Sequence, residues 1–153
     1  MGTPDTVVYT GEHRHNIDDK GRLTLPSRWR MQGDDVYLAL PNPKGFITVY
    51  PPKRAAKFYE RIEQIGLGDE EAQEALFELS ALAQSFGCDS VGRFKLSDKL
   101  AQHAGIVGKE VVLQGNFASF SIWSKDRYEG RLSGDVSERS QKLAGLLSKL
   151  GGI

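Results

Sequence analysis

Apolar and polar positions alternate over several short runs of this chain. Leu23 and Leu25 flank Thr24, and Phe94 and Leu96 flank Lys95, the period-two pattern of a strand with one face buried and one wet. Residues 36–50 read VYLALPNPKGFITVY and residues 111–123 read VVLQGNFASFSIW. Each has an apolar run, a turn rich in Pro, Gly or Asn, and a second alternating run ending in Tyr50 or Trp123, so each predicts a β-hairpin. Between them the period changes to 3.6. Ala56, Phe58, Tyr59, Ile62 and Ile65 fall at helical spacing over 53–65. Asp69 is placed as the N-cap of a helix over 70–86, with Ala72, Ala75, Leu76, Leu79, Leu82, Ala83 and Phe86 along one face. Residues 137–150 carry Leu143, Leu146, Leu147 and Leu150 ahead of Gly151 and Gly152, which predicts a further amphipathic helix.

The pattern is duplicated. Residues 15–30 read HNIDDKGRLTLPSRWR and residues 86–101 read FGCDSVGRFKLSDKLA. A shift of 71 places Asp18 on Asp89, Gly21 on Gly92, Arg22 on Arg93, Leu25 on Leu96, Ile17 on Cys88 and Trp29 on Leu100. The shared element is D-x-x-G-R-φ-x-L. Gly21 and Gly92 stand where a tight turn needs positive φ, which glycine adopts at little cost. Pro26 starts a short helix over 27–30, because a first helical turn needs no partner for that N–H. Ser97 replaces it in the second copy and caps a helix over 98–103, closed by Ala104 and Gly105. Each half therefore reads as hairpin, helical turn, hairpin. About 40 residues of this kind bury too little apolar surface to fold alone. Two copies sharing one sheet make a composite domain with pseudo-twofold symmetry and bring the two D-x-x-G-R turns near each other.

With 153 residues, 39% hydrophobic and 26% charged, the chain has the composition of a globular protein. The formal net charge is zero, which averages away a segregation. Residues 13–30 hold Arg14, Lys20, Arg22, Arg28 and Arg30 against Asp18 and Asp19. Residues 60–79 hold Glu60, Glu63, Asp69, Glu70, Glu71, Glu74 and Glu78 against Arg61. Partner arguments must be made patch by patch. The single cysteine, Cys88, excludes an intrachain disulfide and suits a reducing cytosol. The opening MGTPDTVVYTG lacks the basic and apolar regions of a secretory signal. Its loose match to a myristoylation pattern over Met1–Thr6 reads as a coincidence of the start. No apolar run approaches the length that spans a bilayer.

The paired element, with DDKGRLTLP in the first copy and HAGIVGKEVVLQG and FSIW after the second, resembles the MraZ family. Its halves are related to the AbrB/SpoVT swapped-hairpin DNA-binding domain. The likeness covers roughly residues 10–130 and implies an α+β fold: a pseudo-twofold β-barrel of two swapped-hairpin AbrB-like repeats. The repeats would occupy 12–55 and 83–126, with a helical spacer over 56–82 and a helical tail over 127–153. It implies a cytoplasmic, nucleoid-associated bacterial transcription regulator of the division and cell-wall gene cluster. Such a protein would repress its own cluster as a ring-like homo-oligomer bound to short direct repeats of double-stranded DNA near its promoter. In the family the basic residues of the D-x-x-G-R turn touch DNA, which here are Lys20, Arg22 and Arg93. Position 91 is Val, so the second turn lacks a counterpart of Lys20, and Ser97 replaces the usual proline.

Two readings remain open for each basic residue. Arg22 and Arg93 either pair with Asp18 and Asp89 of their own turns, a contact of small value at a surface, or bind DNA. Arg14, Arg28 and Arg30 are phosphate contacts, which position a protein without reading sequence, or solvated charges; Arg14 and Arg28 join the candidate set with Lys20, Arg22 and Arg93. Lys95 stands on the wet face of its strand with the same two readings. Trp29 is a core anchor and Cys88 a small core residue. His13 and His15 have no convergent Cys or carboxylate partners and make a poor metal site. No catalytic motif, cofactor cradle or small-molecule site is expected, and no membrane partner. A second reading is an antitoxin-like interaction module whose C-terminal helix lays its leucines in a partner's groove.

Overall fold

A computed structural model describes residues 7–30, 36–131 and 136–151. The chain runs β1 (Glu12–Asn16), β2 (Arg22–Thr24), a 3-10 turn (Ser27–Trp29), β3 (Tyr37–Asn42), β4 (Phe46–Tyr50), α1 (Pro52–Glu63) and α2 (Glu70–Leu82). It continues with β5 (Gln84–Phe86), β6 (Arg93–Lys95), α3 (Asp98–His103), β7 (Glu110–Gly115), β8 (Phe120–Ser124), α4 (Lys125–Arg131) and α5 (Val136–Lys149). The Met1–Thr6 pattern and Gly152 lie outside the described residues.

The predicted hairpins β3–β4 and β7–β8 form, and β4 joins β8 at the centre of an antiparallel six-stranded sheet ordered β1-β7-β8-β4-β3-β5. Exchanging the two halves leaves that order unchanged, which is the pseudo-twofold expected of a duplication. The halves also trade strands. β1 of the first half pairs with β7 of the second, and β5 of the second pairs with β3 of the first.

Three expectations are corrected. β1 and β2 do not pair with each other; the turn between them hands the chain from the large sheet to a separate two-stranded ribbon, β2 with β6. Among the described residues the strands also do not close into a barrel. β1 and β5 end as edges of an open sheet, because each strand that follows them leaves to build the ribbon. The second spacer helix stops at Leu82 instead of continuing to 86. Ala83 turns extended at φ −68° and ψ 152°, and β5 follows. Phe86 continues the helical period by coincidence; it stacks between Tyr37 and Phe94, at ring separations of 5.3 Å and 4.3 Å.

The capping logic holds in detail. The Ser97 hydroxyl accepts from Leu100 N at 3.2 Å, and Asp69 accepts from Ala72 N at 3.1 Å. Gly105 closes α3 at φ +69°. Helix α4 begins just ahead of the expected helical tail, where the Ser124 hydroxyl accepts from Arg127 N at 3.2 Å, and buries Tyr128.

The main core lies between one face of the sheet and the ribbon. Leu23, Leu25, Phe94 and Leu96 are buried against Ile47, Val49, Val111, Leu113, Phe120 and Ile122. Trp29 is buried among Tyr9, Phe120 and His13, with ring centroids 5.5, 5.1 and 4.8 Å away. Burying a side chain of that size removes enough apolar surface from water to anchor the ribbon. On the sheet's other face a smaller cluster of Leu38, Leu40 and Ala55 seats α1 and α2. Nothing in α5 is buried, and Leu143, Leu146 and Leu150 are exposed.

Candidate nucleic-acid interface

The two D-x-x-G-R turns have the same hydrogen bonds. Gly21 N donates to Asp18 O at 2.9 Å and Asp18 N to Arg22 O at 3.0 Å; the same bonds in the second turn are 3.0 Å from Gly92 to Asp89 and 3.0 Å from Asp89 to Arg93. Asp18 Oδ1 accepts from Lys20 N and Arg22 N, and Asp89 Oδ1 accepts from Val91 N and Arg93 N. The aspartate folds the turn by collecting its amides. Gly21 and Gly92 complete it at φ +77° and +84°.

The second carboxylate oxygen fixes the arginine. Arg22 Nε lies 2.8 Å from Asp18 Oδ2, and Arg93 Nε lies 2.6 Å from Asp89 Oδ2. The backbone N–H of each arginine, then its guanidinium, holds the aspartate below the usual carboxylate range. Each ion pair is made through the Nε–H of a guanidinium that carries five N–H donors. The pairs anticipated from the sequence are present.

The ribbon brings both turns onto one surface. Arg22 faces Lys95 and Thr24 faces Arg93 across it, while Leu23 faces Phe94 on the buried side. Arg22 and Arg93 are therefore diagonal neighbours, roughly 7–8 Å apart by strand geometry. Lys20, Lys95 and Arg28 are exposed, and the arginines are half-buried by their aspartates. Zero net charge conceals this face: Arg22, Arg93 and Lys95 share it, with Lys20 at its end. The acids of α2 lie on a different element, where Glu71, Glu74 and Glu78 line a surface groove with Phe77.

Not every predicted residue joins the ribbon. Arg14 lies on β1 and is held by Glu12 at 3.1 Å and Glu129 of α4 at 3.0 Å. Glu129 above all raises its pKa further. This cation belongs to the β1–α4 surface. Arg28 is exposed on the 3-10 turn. Lys95, weighed as a wet-face residue, stands opposite Arg22; the ribbon pairing that places it there joins residues far apart in sequence. His15, on β1, accepts from Thr24 N at 3.2 Å and is held neutral, its pKa lowered by burial. Burial pushes the Cys88 thiol up to about 11, as befits a packed side chain beside the core rather than a nucleophile. Among the described residues no three His, Cys, Asp or Glu side chains are grouped to hold a metal ion. None of the described helices is long and apolar enough to cross a membrane.

Comparison with known proteins places the chain in a family. Residues 80–146 match the family model described as "MraZ protein, putative antitoxin-like". The chain is 30% identical over 131 residues to the transcriptional regulator MraZ of Lachnoclostridium phytofermentans, covering 86% of this chain and 92% of that one. It is 32% identical over 139 residues to that of Lactobacillus delbrueckii subsp. bulgaricus, covering 90% and 94%. A third, from Lactobacillus johnsonii, is 31% identical over 137 residues, covering 88% and 90%. All three are named as regulators of transcription rather than as enzymes. At this identity over nearly the whole length of both chains, the protein belongs to the MraZ family.

Proposed function

We propose that this protein is a sequence-specific regulator that binds double-stranded DNA through the outer face of the β2–β6 ribbon. One observation carries the reading: a duplicated turn places Arg22 and Arg93 diagonally on a two-stranded ribbon, with Lys95 opposite Arg22. An antiparallel ribbon fits the major groove, where side chains reach base edges. Lys20, Arg22 and Arg93 are the principal contacts, and Arg28, exposed beside the ribbon, is a flanking phosphate contact. Arg14, engaged by two carboxylates, stands outside this set. The strand exchange between halves is read as the swapped-hairpin arrangement of AbrB-like domains.

The pseudo-twofold of the ribbon suits the local symmetry of a duplex. A single ribbon offers few phosphate contacts, so direct repeats near the chain's own promoter are bound by a ring-like homo-oligomer, in which linked sites gain avidity without new contacts. The outcome is repression of its own division and cell-wall cluster, in the cytoplasm at the nucleoid. The test is an electrophoretic shift of the duplex upstream of the chain's own coding sequence against an unrelated duplex of equal length. Wild type is expected to prefer the former and Arg22→Ala to lose that preference; equal binding by both proteins overturns the reading. Light scattering showing a monomer at micromolar concentration overturns the ring.

A second reading rests on α5. Its leucines are exposed on a helix with no buried residue, and the matched family model carries the words antitoxin-like. An amphipathic helix of this kind lies in an apolar groove of a partner protein. Co-purification of a stoichiometric partner, lost when the chain is ended after Arg131, supports it.

A further inference from the structure

The second D-x-x-G-R turn has Val91 where the first has Lys20. It is nevertheless not short of a cation. Arg30, from the first half of the chain, lies across Gly92: a Cβ added there would meet Arg30 Nε, Cδ and Cζ, the latter two at 2.9 Å. Arg30 Nε donates to Leu25 O at 3.0 Å, and Leu25 N donates to Gly92 O at 2.9 Å. The arginine is thus tied to the segment that is itself tied to the second turn. The first turn is covered in kind from the other side, with Lys95 Cε 3.4 Å from the Cβ position of Gly21. Each turn carries its own arginine and a cation contributed by the opposite half.

We propose that Arg30 is a DNA-contacting residue that serves the second turn and supplies the positive charge Val91 does not. The inference rests on the ribbon being the DNA surface. Arg30 is half-buried, with Nε bound to a carbonyl, so its Nη donors are those that meet a phosphate oxygen. Its bond to Leu25 O fixes its position before binding, so little side-chain freedom is lost on contact. The cation beside the second turn comes from the other half of the chain, and Val91 is exposed.

The experiment compares binding to the duplex upstream of the chain's own gene over a salt series, for wild type, Arg30→Gln, Arg30→Lys, Val91→Lys and the double variant Arg30→Gln/Val91→Lys. Arg22→Ala serves as reference, and a thermal melt establishes that each protein is folded. A lost phosphate contact lowers the slope of log affinity against log salt by about 1. Arg30→Gln is expected to show that loss, Arg30→Lys to keep most of the slope, and Val91→Lys to restore it in the double variant. A charge that matters only for packing would not be rescued from position 91, on a different loop. If Arg22→Ala weakens binding while folded Arg30→Gln keeps the wild-type slope, or if Val91→Lys restores nothing, the role given to Arg30 is wrong and the ribbon stands. If Arg22→Ala and Arg30→Gln both bind as wild type does, the ribbon reading itself fails. Should Arg30→Gln not fold, the Arg30→Lys and Val91→Lys slopes decide: a wild-type slope for the former and a steeper one for the latter support the role, and an unchanged slope for Val91→Lys overturns it.

Discussion

Arg22 and Lys95 face each other across the β2–β6 ribbon, and the Lys95 side chain also lies over Gly21, the residue that turns the chain into Arg22. Like charges set directly opposite are unfavourable in a sheet. The first turn offsets part of that repulsion with Asp18, which binds Arg22 Nε. On the proposed reading, that repulsion is relieved when the ribbon meets the DNA backbone. Exchanging Lys95 for Thr is therefore expected to leave the melting temperature unchanged or slightly raised while weakening DNA binding. Thermal denaturation beside a binding titration checks both arms.

The two turn glycines should differ in their tolerance of alanine. Both have positive φ, which costs an L-residue about 1–2 kcal/mol. At Gly21 the added methyl meets only the flexible end of Lys95, whereas at Gly92 it collides with Arg30. Gly92→Ala should destabilise more than Gly21→Ala in a denaturant titration, and the added Arg30→Gln change should narrow the difference.

Stability should fall with acid in two windows. His15 accepts a backbone N–H in its neutral form and has a lowered pKa, so protonation favours the unfolded chain. Its contribution is complete above the unfolded value of about 6.5 and is lost as pH falls below it. Asp18 and Asp89 are depressed by the amides they collect, so theirs is complete above about 3.9 and is lost as pH drops through the lower folded values. Melts from pH 7.5 to pH 2.5 should show both losses. Asp18→Asn/Asp89→Asn should flatten the acidic one and leave the loss near neutrality.

Trp29 carries the packing of the ribbon onto the sheet. Trp29→Ala is expected to cost about 3–5 kcal/mol, the range for removing a buried aromatic side chain. Ending the chain after Arg131 removes α5, none of whose residues is buried, and should change stability by no more than about 0.5 kcal/mol. Chemical denaturation of the two variants measures both.

What the sequence made legible was local. The turn glycines, the Ser97 cap, the Asp69 cap and the Trp29 anchor each depend on a few neighbouring residues, and each stands in the structure as read. The two periods located hairpins and helices, and the α+β class was what the resemblance implied. Strand β5 was misread because Phe86 falls on the apolar stripe of α2, so periodicity could not separate a helix end from a three-residue strand. The partners of β1 and β2 were misread because both lie in the other half of the chain. Lys95 and Arg30 were both weighed as phosphate contacts, but the turns they lie against were not legible. Their positions follow from contacts across the duplication, and no spacing within one copy encodes them. Arg14 looked equivalent to the other basic residues until the packing of α4 brought Glu129 against it.

The central claim is that both turns of the ribbon contact DNA, and the salt dependence of binding tests it most directly. The slope of log affinity against log salt counts phosphate contacts. Measured on the duplex upstream of the chain's own gene, Arg22→Ala and Arg93→Ala should each lower the slope by about 1, and the double variant by about 2. Wild-type slopes in all three folded variants would contradict the account.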